Sequence, residues 1–287
     1  MRYVVAIALC LVVGVAPAHA DSVVMVAGDI ACSPNEPTTP KACHHQQTSD
    51  LLIEHKPDKV LTTGDNQYET GRLSDFRASY DKTWGRVFDI TKPTPGNHEY
   101  KREGAQGYFN YFGARARPGR NGYYSFDVEG WHLIALNSNI STRKSSRQVE
   151  WLRRDLTSNP DDCTLAYWHH PLYSSGEHGN SLKVRPFWKA LKAADAELIV
   201  NGHDHDYERF APQNAYGKRR SGGIREFVVG NGGRSLRPFA NIKPHSRVRD
   251  ATTFGVLKLT LRPGEYEWEF VPETGGTFTD TGQADCR

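Results

Sequence analysis

The ten residues Lys59-Val60-Leu61-Thr62-Thr63-Gly64-Asp65-Asn66-Gln67-Tyr68 hold the reading of this chain. An apolar, β-branched run ends on a glycine, and a string of polar side chains follows at once. Such a run reads as a buried strand, and the glycine marks where the backbone turns sharply out of it. The same grammar recurs outward from this point. The run 23–27 ends in Gly28-Asp29, the run 164–168 in His169-His170-Pro171, and the run 197–201 in Gly202-His203-Asp204-His205. Between 68 and 164 lies one more glycine-led block of polar donors, Gly96-Asn97-His98-Glu99. Further apolar runs stand at 132–137 and 226–230, and helical patterns at 48–55, 73–84, 147–156 and 181–194. Strand and helix in alternation imply an α/β fold with partly parallel sheets. The segments 123–128, 254–261 and 265–271 alternate in the antiparallel manner, the last two around Arg262-Pro263-Gly264.

The placement of the polar residues matters more than the number of strands. Asp29, Asp65, His169 and Asn201-Gly202 all fall at the C-terminal ends of expected strands. In open α/β sheets that edge is where ligands collect, because loops from distant parts of the chain converge there on a rigid frame. Loops 30–42, 100–121 and 174–180 are long and rich in Gly, Pro and charge, which suits either rims over a site or plain surface connections.

Asp29, Asp65, Tyr68, Asn97, His169, His203 and His205 form a mixed set of carboxylate, phenol, amide and imidazole donors. Such a set suits borderline to hard cations such as Fe, Mn and Zn. Two ions sharing one carboxylate account for all seven, and Asp65 is the bridge candidate. Tyr68 either packs as an aromatic or adds a phenolate, a donor that favours Fe(III) over Zn²⁺. His169 and His170 are adjacent and cannot point the same way from a strand end; His169 is the ligand candidate and His170 a supporting or packing residue. The neighbours Asn97 and His98 divide likewise, the amide toward a labile ion and the imidazole toward substrate, with general-acid work or a structural hydrogen bond open to it. His178, in the Gly-rich loop 174–180, is the second candidate for contact with substrate. His44, His45, His55, His132 and His245 have no partnering motif and read as surface or core residues. Other chemistries lack their parts: there is no GxSxG, Walker loop, GxGxxG after a strand, or HExxH. Gly230-Asn231-Gly232-Gly233 reads as a tight turn after a strand, near the site.

Residues 1–20 read as a secretory signal: Arg2, an apolar run over 3–15, and the small-x-small pattern Ala18-His19-Ala20. That run is shorter than the roughly 20 residues a membrane span needs. The expected product, residues 21–287, is one domain, secreted or periplasmic, with no membrane anchor. Its four cysteines, Cys32, Cys43, Cys163 and Cys286, suit two disulfides in an oxidising compartment. Three pairings are possible, and Cys32–Cys43 with Cys163–Cys286 is the economical one. The net charge of +3 drops to about +2 with the loss of Arg2, too small an excess to point to a nucleic-acid partner.

The donor blocks, taken together, resemble those of the calcineurin-like metallophosphoesterases, and within them the purple acid phosphatases. Asp29, Gly64–Tyr68, Gly96–Glu99, the His169 segment and Gly202–His205 match the five blocks of that family over residues 23–210. Tyr68 separates the purple acid phosphatases from relatives whose first block is DxH; here Ala31 stands where that histidine would be. The third block departs slightly, with Glu99 in place of Asp. The resemblance implies a four-layer α/β/β/α sandwich of two mixed sheets in the small single-domain form, without the N-terminal β-domain of the larger plant-type enzymes. It implies a ferric site of Asp29, Asp65, Tyr68 and His205, and a second ion, Zn, Mn or Fe(II), on Asp65, Asn97, His169 and His203. It implies that His98 assists at the phosphate. The blocks are shared by phosphomonoesterases and phosphodiesterases; hydrolysis of phosphate monoesters is the expectation, with two ions about 3.5–4 Å apart clamping the phosphate and lowering the pKa of a bound water. A phosphodiesterase with the same metals is the alternative, and a binding protein that kept its ligands and lost turnover is a further one. The resemblance leaves oligomeric state open.

Overall fold

Valine- and leucine-rich runs form the centre of both sheets, as expected for strands buried on two faces. The computed structural model describes residues 21–116, 121–160 and 163–287. In the first sheet, β1 (Ser22–Ala27) lies parallel to β2 (Lys59–Thr62), which continues parallel to β3 (Thr91–Pro93). On its other side β1 pairs antiparallel with β11 (Gly255–Arg262), followed by β12 (Glu265–Pro272) and β13 (Thr281–Asp285). The second sheet runs in the order β10-β8-β9-β7-β6-β5-β4. Its strands are β4 (Tyr124–Val128), β5 (Trp131–Ala135), β6 (Cys163–Tyr167), β7 (Leu198–Asn201), β8 (Tyr207–Phe210), β9 (Arg225–Val229) and β10 (Ser246–Asp250). β5, β6, β7 and β9 are mutually parallel; β4, β8 and β10 are antiparallel additions at the two edges. Both sheets are mixed.

The period-2 alternation of side chains sorts each strand of the second sheet between two cores. Leu133, Ala135, Leu165, Tyr167, Leu198 and Val200 point at the first sheet and join Val24, Val26, Leu257 and Leu259 in one apolar cluster. Ile134, Ala166, Trp168 and Ile199 point the other way. They pack on α4 (Arg147–Ser158) through Val149, Leu152 and Leu156, and on α5 (Arg185–Ala193) through Phe187, Trp188 and Leu191. α1 (His45–His55) packs Leu51 and Leu52, with Trp84, on the first sheet. The result is the α/β/β/α sandwich that the resemblance implies.

Several elements differ from the sequence expectation. The helix expected over 73–84 breaks after α2 (Leu73–Ala78) into 3₁₀ turns at Tyr80–Lys82 and Trp84–Ile90. There the Tyr80 amide donates to the buried Gln67 side chain, 3.1 Å, in place of a helical carbonyl. α5 starts at Arg185 rather than 181, after a 3₁₀ turn at Leu182–Val184, because Pro186 fits only the first turn of a helix. The segment 100–121 is not all loop: α3 (Gln106–Phe112) buries Tyr108, Phe109 and Phe112. The residues after β12, for which no element is expected from the sequence, include β13, which pairs with β12. The disulfides are Cys32–Cys43 and Cys163–Cys286, the second joining the start of β6 in one sheet to the residue after β13 in the other. Among the described residues no helix is long and apolar enough to cross a membrane. The expected signal segment, 1–20, lies outside the described residues.

Candidate metal centre

Five strand ends deliver the polar donors to one edge. Asp29 follows β1, Asp65 and Tyr68 follow β2, Asn97 and His98 follow β3, His169 and His170 follow β6, and His203 and His205 follow β7. The turns are tight enough to exclude larger residues. Gly64 sits at φ +97°, and a Cβ at Gly96 would fall 2.0 Å from Asp65 Oδ1. Asp29, Asp65 and His203 themselves take positive φ, at 58°, 47° and 75°. Such backbone is uncommon outside glycine and collects where a site over-determines it.

The donor atoms fall into two groups. Tyr68 Oη lies 2.8 Å from Asp29 Oδ1, 3.1 Å from Asp65 Oδ2 and 3.2 Å from His205 Nε2. His169 Nε2 lies 3.0 Å from Asn97 Oδ1, 3.2 Å from His203 Nδ1 and 3.4 Å from Asp65 Oδ2. One oxygen, Asp65 Oδ2, belongs to both groups. All seven sequence candidates for metal ligation therefore meet, four and four with one shared.

Hydrogen bonds on the far side of each donor fix its orientation, as metal sites require. His169 Nδ1 donates to the Thr63 carbonyl, 3.0 Å, which turns Nε2 toward Asn97 and Asp65. His205 Nδ1 pairs with Ser235 Oγ at 2.7 Å. The second oxygens of the carboxylates accept backbone N–H groups, Asp29 Oδ2 from His203 at 2.8 Å and Asp65 Oδ1 from His98 at 2.7 Å.

Burial and the closeness of the carboxylates and imidazoles to one another set the electrostatics of the site. Burial, then the Asp65 carboxylate, pushes Asp29 up to about 8, although His169 and the Tyr68 hydroxyl pull the other way. Burial pulls His169 down, but Asp65 and Asp29 outweigh it and raise the imidazole to about 9. Burial pushes Asp65 up, and His169 and His98 overcome it to hold the carboxyl below the ordinary range. Burial, with Arg237 nearby, lowers His205 to about 3; burial and the other histidines lower His203. His203 and His205 are held neutral, and imidazole, amide, phenol and carboxylate atoms converge within hydrogen-bond distance, a mixed donor set that suits borderline to hard cations. The residues present fit a pair of metal ions.

The two substrate-side candidates also reach the centre. The His98 ring lies 4.2 Å from the Tyr68 ring, its Nδ1 donates to the Glu69 carbonyl at 2.7 Å, and its Nε2 is 3.9 Å from Asp65 Oδ2. The His178 ring stacks on His203 with centroids 4.4 Å apart, and its Nε2 is 3.3 Å from an Arg237 nitrogen. His170 pairs with Ser138 Oγ at 2.8 Å, and its ring lies beside that of His203 with centroids 4.5 Å apart. The Gly230–Gly233 turn does border the site, since a Cβ at Gly230 would be 2.9 Å from Asp29 Oδ2.

Sequence reasoning missed the supports. Glu99, fully buried, takes the Gly96 amide at 2.6 Å and the Gln67 amide at 3.1 Å, so it ties two donor loops together. Arg234 pairs with Glu36 and Glu69 and lies over the Tyr68 ring, 5.2 Å from its centroid. Lys101 Nζ is 3.0 Å and 3.2 Å from the two His98 nitrogens. The i, i+3 spacing of Gly96 and Glu99 was a signal within reach; the long-range pairs of Arg234 were not. A second group of possible donors, Cys32, Glu36 and Cys43, is no metal site, because its sulfurs are joined in a disulfide.

The chain belongs to the calcineurin-like phosphoesterase family, whose pattern matches residues 22–207. Within it the likeness runs to purple acid phosphatases. Purple acid phosphatase 15 of Arabidopsis thaliana is 29% identical over 247 residues, 73% of this chain and 44% of that protein. Purple acid phosphatase PPD1 from yellow lupin (Lupinus luteus) seeds has the same fold, with a TM-score of 0.77 at 21% identity, over 93% of this chain and 54% of that one. So does GAP50, the anchor in the inner membrane complex of Plasmodium, with a TM-score of 0.69 at 14% identity, over 93% and 89% of the two chains. At these identities the two structures speak for the fold. The chain spans under half the length of the curated relatives at the head of the comparison. The family and these relatives imply a dinuclear metal centre.

Proposed function

We propose that this chain is an exported, two-metal phosphatase that hydrolyses phosphate monoesters. One observation carries the reading: two groups of four donors share the single oxygen Asp65 Oδ2. Asp29, Asp65, Tyr68 and His205 would hold one ion, Fe(III) by virtue of the phenolate, and Asp65, Asn97, His169 and His203 would hold Zn, Mn or Fe(II). Bound there, the pair would supply Lewis-acid polarisation of the phosphoryl oxygens and an activated water.

The chain's own residues orient and protonate. The hydrogen bonds to Thr63, Ser235 and the His98 and His203 amides hold the donors in place before any substrate arrives. With Nδ1 committed to the Glu69 carbonyl, His98 presents Nε2 to the site, the atom from which a proton reaches the leaving alkoxide. His178, stacked on His203, and Arg237, 3.3 Å from it, would face the phosphate oxygens. The signal-like residues 1–20 and the two disulfides support export to an oxidising compartment.

The test is metal analysis of the purified protein, a visible spectrum, and turnover of p-nitrophenyl phosphate against bis-p-nitrophenyl phosphate at matched concentration. The expected result is two metals per chain, a broad phenolate-to-iron band that Tyr68→Phe abolishes, and faster monoester hydrolysis. Preference for the diester points to a phosphodiesterase with the same metals. Two bound metals with no turnover of either ester mean a binding protein on this fold.

A further inference from the structure

The loop after β6 that carries His178 has little regular structure of its own, so its backbone amides must find partners elsewhere. Three buried carboxylates take most of them. Glu226 Oε1 accepts from Leu172 and Tyr173, at 3.0 and 3.4 Å. Glu208 Oε2 accepts from the Ser175 amide at 2.8 Å, and its other oxygen from the Ser175 hydroxyl. Asp204 takes the stretch that matters for the site. Its Oδ1 accepts from the His178 amide at 2.7 Å, and its Oδ2 from the Gly179 amide at 3.1 Å and from the Ser174 hydroxyl. The approach is close, for a Cβ at Gly176 would sit 2.4 Å from Asp204 Cγ.

Asp204 stands between His203 and His205 in sequence, yet its side chain does not join theirs. The turn at His203, φ +75°, aims the two imidazoles at the donor groups and the carboxylate between them at the loop. Asp204 is buried, and a polar group in such a place costs free energy unless hydrogen bonds satisfy it. The loop amides do so. In return the His178 ring is laid flat on His203, 4.4 Å between centroids and 25° between planes.

We propose that Asp204 is a positioning residue: through the His178 and Gly179 amides it fixes His178 over the metal centre, toward the phosphate. This rests on the phosphatase reading above for what His178 touches. The geometry itself, three hydrogen bonds donated by the loop to one buried carboxylate, is independent of that reading.

The experiment uses the mature metal-loaded protein with Asp204→Ala, Asp204→Asn, His178→Ala and the Asp204→Ala/His178→Ala double variant. Metal content, kcat and KM on p-nitrophenyl phosphate, and amide hydrogen exchange over residues 174–180 are measured for each. Asp204→Ala is expected to keep both metals and to lose protection at the His178 and Gly179 amides. Its kcat/KM should fall about 10- to 100-fold, the scale of a misplaced active-site group. The loss should match that of His178→Ala, and the double variant should lose no more. Asp204→Asn, which keeps one acceptor oxygen, should fall between wild type and Asp204→Ala. Additive losses, unchanged exchange, or metal loss in Asp204→Ala overturn the proposal. Where Asp204→Ala does not fold, Asp204→Asn alone decides by the same readings. An inactive wild type sinks the phosphatase reading; the exchange data then decide the positioning role separately.

Discussion

His98 and Asn97 are neighbours whose environments part them. Asn97 Oδ1 faces His169 Nε2 at 3.0 Å, while the His98 ring leans on Tyr68 with Nε2 toward the site. Asn97→Ala is therefore expected to loosen the second ion, with activity partly restored by excess divalent metal. His98→Ala is expected to keep both metals and lose turnover about 10²–10⁴-fold, the usual cost of a missing general acid. The loss should be greatest for alkyl phosphates, whose leaving groups need a proton, and least for a nitrophenyl ester. Equal losses across a leaving-group series, with metals retained, would mean that His98 only positions phosphate. The same residues predict how the metal-free protein responds to pH. Asp29, raised from 3.8 to about 8, and His169, raised from 6.5 to about 9, both hold protons more firmly folded than unfolded. Such groups give stability that is complete below the ordinary pKa and is lost as pH rises through the raised one. Above pH 7, where the lowered His203 and His205 are neutral both folded and unfolded, the melting temperature of chelator-treated protein should thus fall toward pH 9, and saturating metal should raise it more at pH 9 than at pH 7. A metal-induced shift that shrinks toward pH 9 would contradict the assignment of these two groups.

α4 shows how an element outside the site holds one of its loops. Ser146 caps the helix by accepting from the Val149 amide at 3.3 Å. In the first turn, Gln148 reaches across to the end of β5. Its Oε1 accepts from the Asn137 amide at 2.7 Å and its Nε2 donates to the Asn137 carbonyl at 3.0 Å. The side chain acts as a one-residue strand and steadies the segment that places Ser138 against His170. Gln148→Leu fills the volume but strands a buried amide and carbonyl, each costing about 1–3 kcal/mol when unpaired. Denaturant unfolding of the metal-loaded protein should show a loss in that range, with metal stoichiometry unchanged; a neutral result would mean that water replaces the glutamine. Legibility at this scale followed the strength of the local pattern. The apolar runs behind β1, β2, β5, β6, β7 and β9 were plain, as were the glycines and donors that follow several of them. β3, three residues long, and β13, Thr-Gly-Gln-Ala-Asp, carry too few apolar side chains to show any period. α3, Gln-Gly-Tyr-Phe-Asn-Tyr-Phe, is made of weak helix formers held by aromatic burial. The anchors Glu99, Asp204, Glu208 and Glu226 were silent, since a carboxylate gives no sign in sequence of which amide it meets in space.

At the scale of the molecule the two disulfides hold different things. Cys163–Cys286 spans 123 residues and staples the two sheets at the start of β6, whereas His169 and the site lie beyond the other end of that strand. Trp131 reinforces the same seam, donating its indole N–H to the Arg262 carbonyl at 2.8 Å and meeting the Tyr266 ring edge-on at 5.6 Å. Cys32–Cys43 spans 11 residues and lies at the site edge. There the Cys43 amide donates to the Arg234 carbonyl at 3.2 Å, and the Arg234 amide to the Asp29 carbonyl at 2.8 Å. Chain entropy makes the long bridge worth about 5 kcal/mol and the short one about 3 kcal/mol, in a model whose mechanism is disputed. The contrast in function is sharper than that in stability. Cys163→Ser with Cys286→Ser is expected to lower unfolding free energy by the larger amount while metal affinity and kcat at 25 °C stay near wild type. Cys32→Ser with Cys43→Ser is expected to cost less stability yet weaken metal retention, because it frees the loop whose backbone leans on Asp29 through Arg234. Unfolding curves and competitive chelation on both double variants check this. Metal loss confined to the Cys163/Cys286 variant would show that the sheet-to-sheet packing, rather than the loops at the strand ends, sets the geometry of the centre.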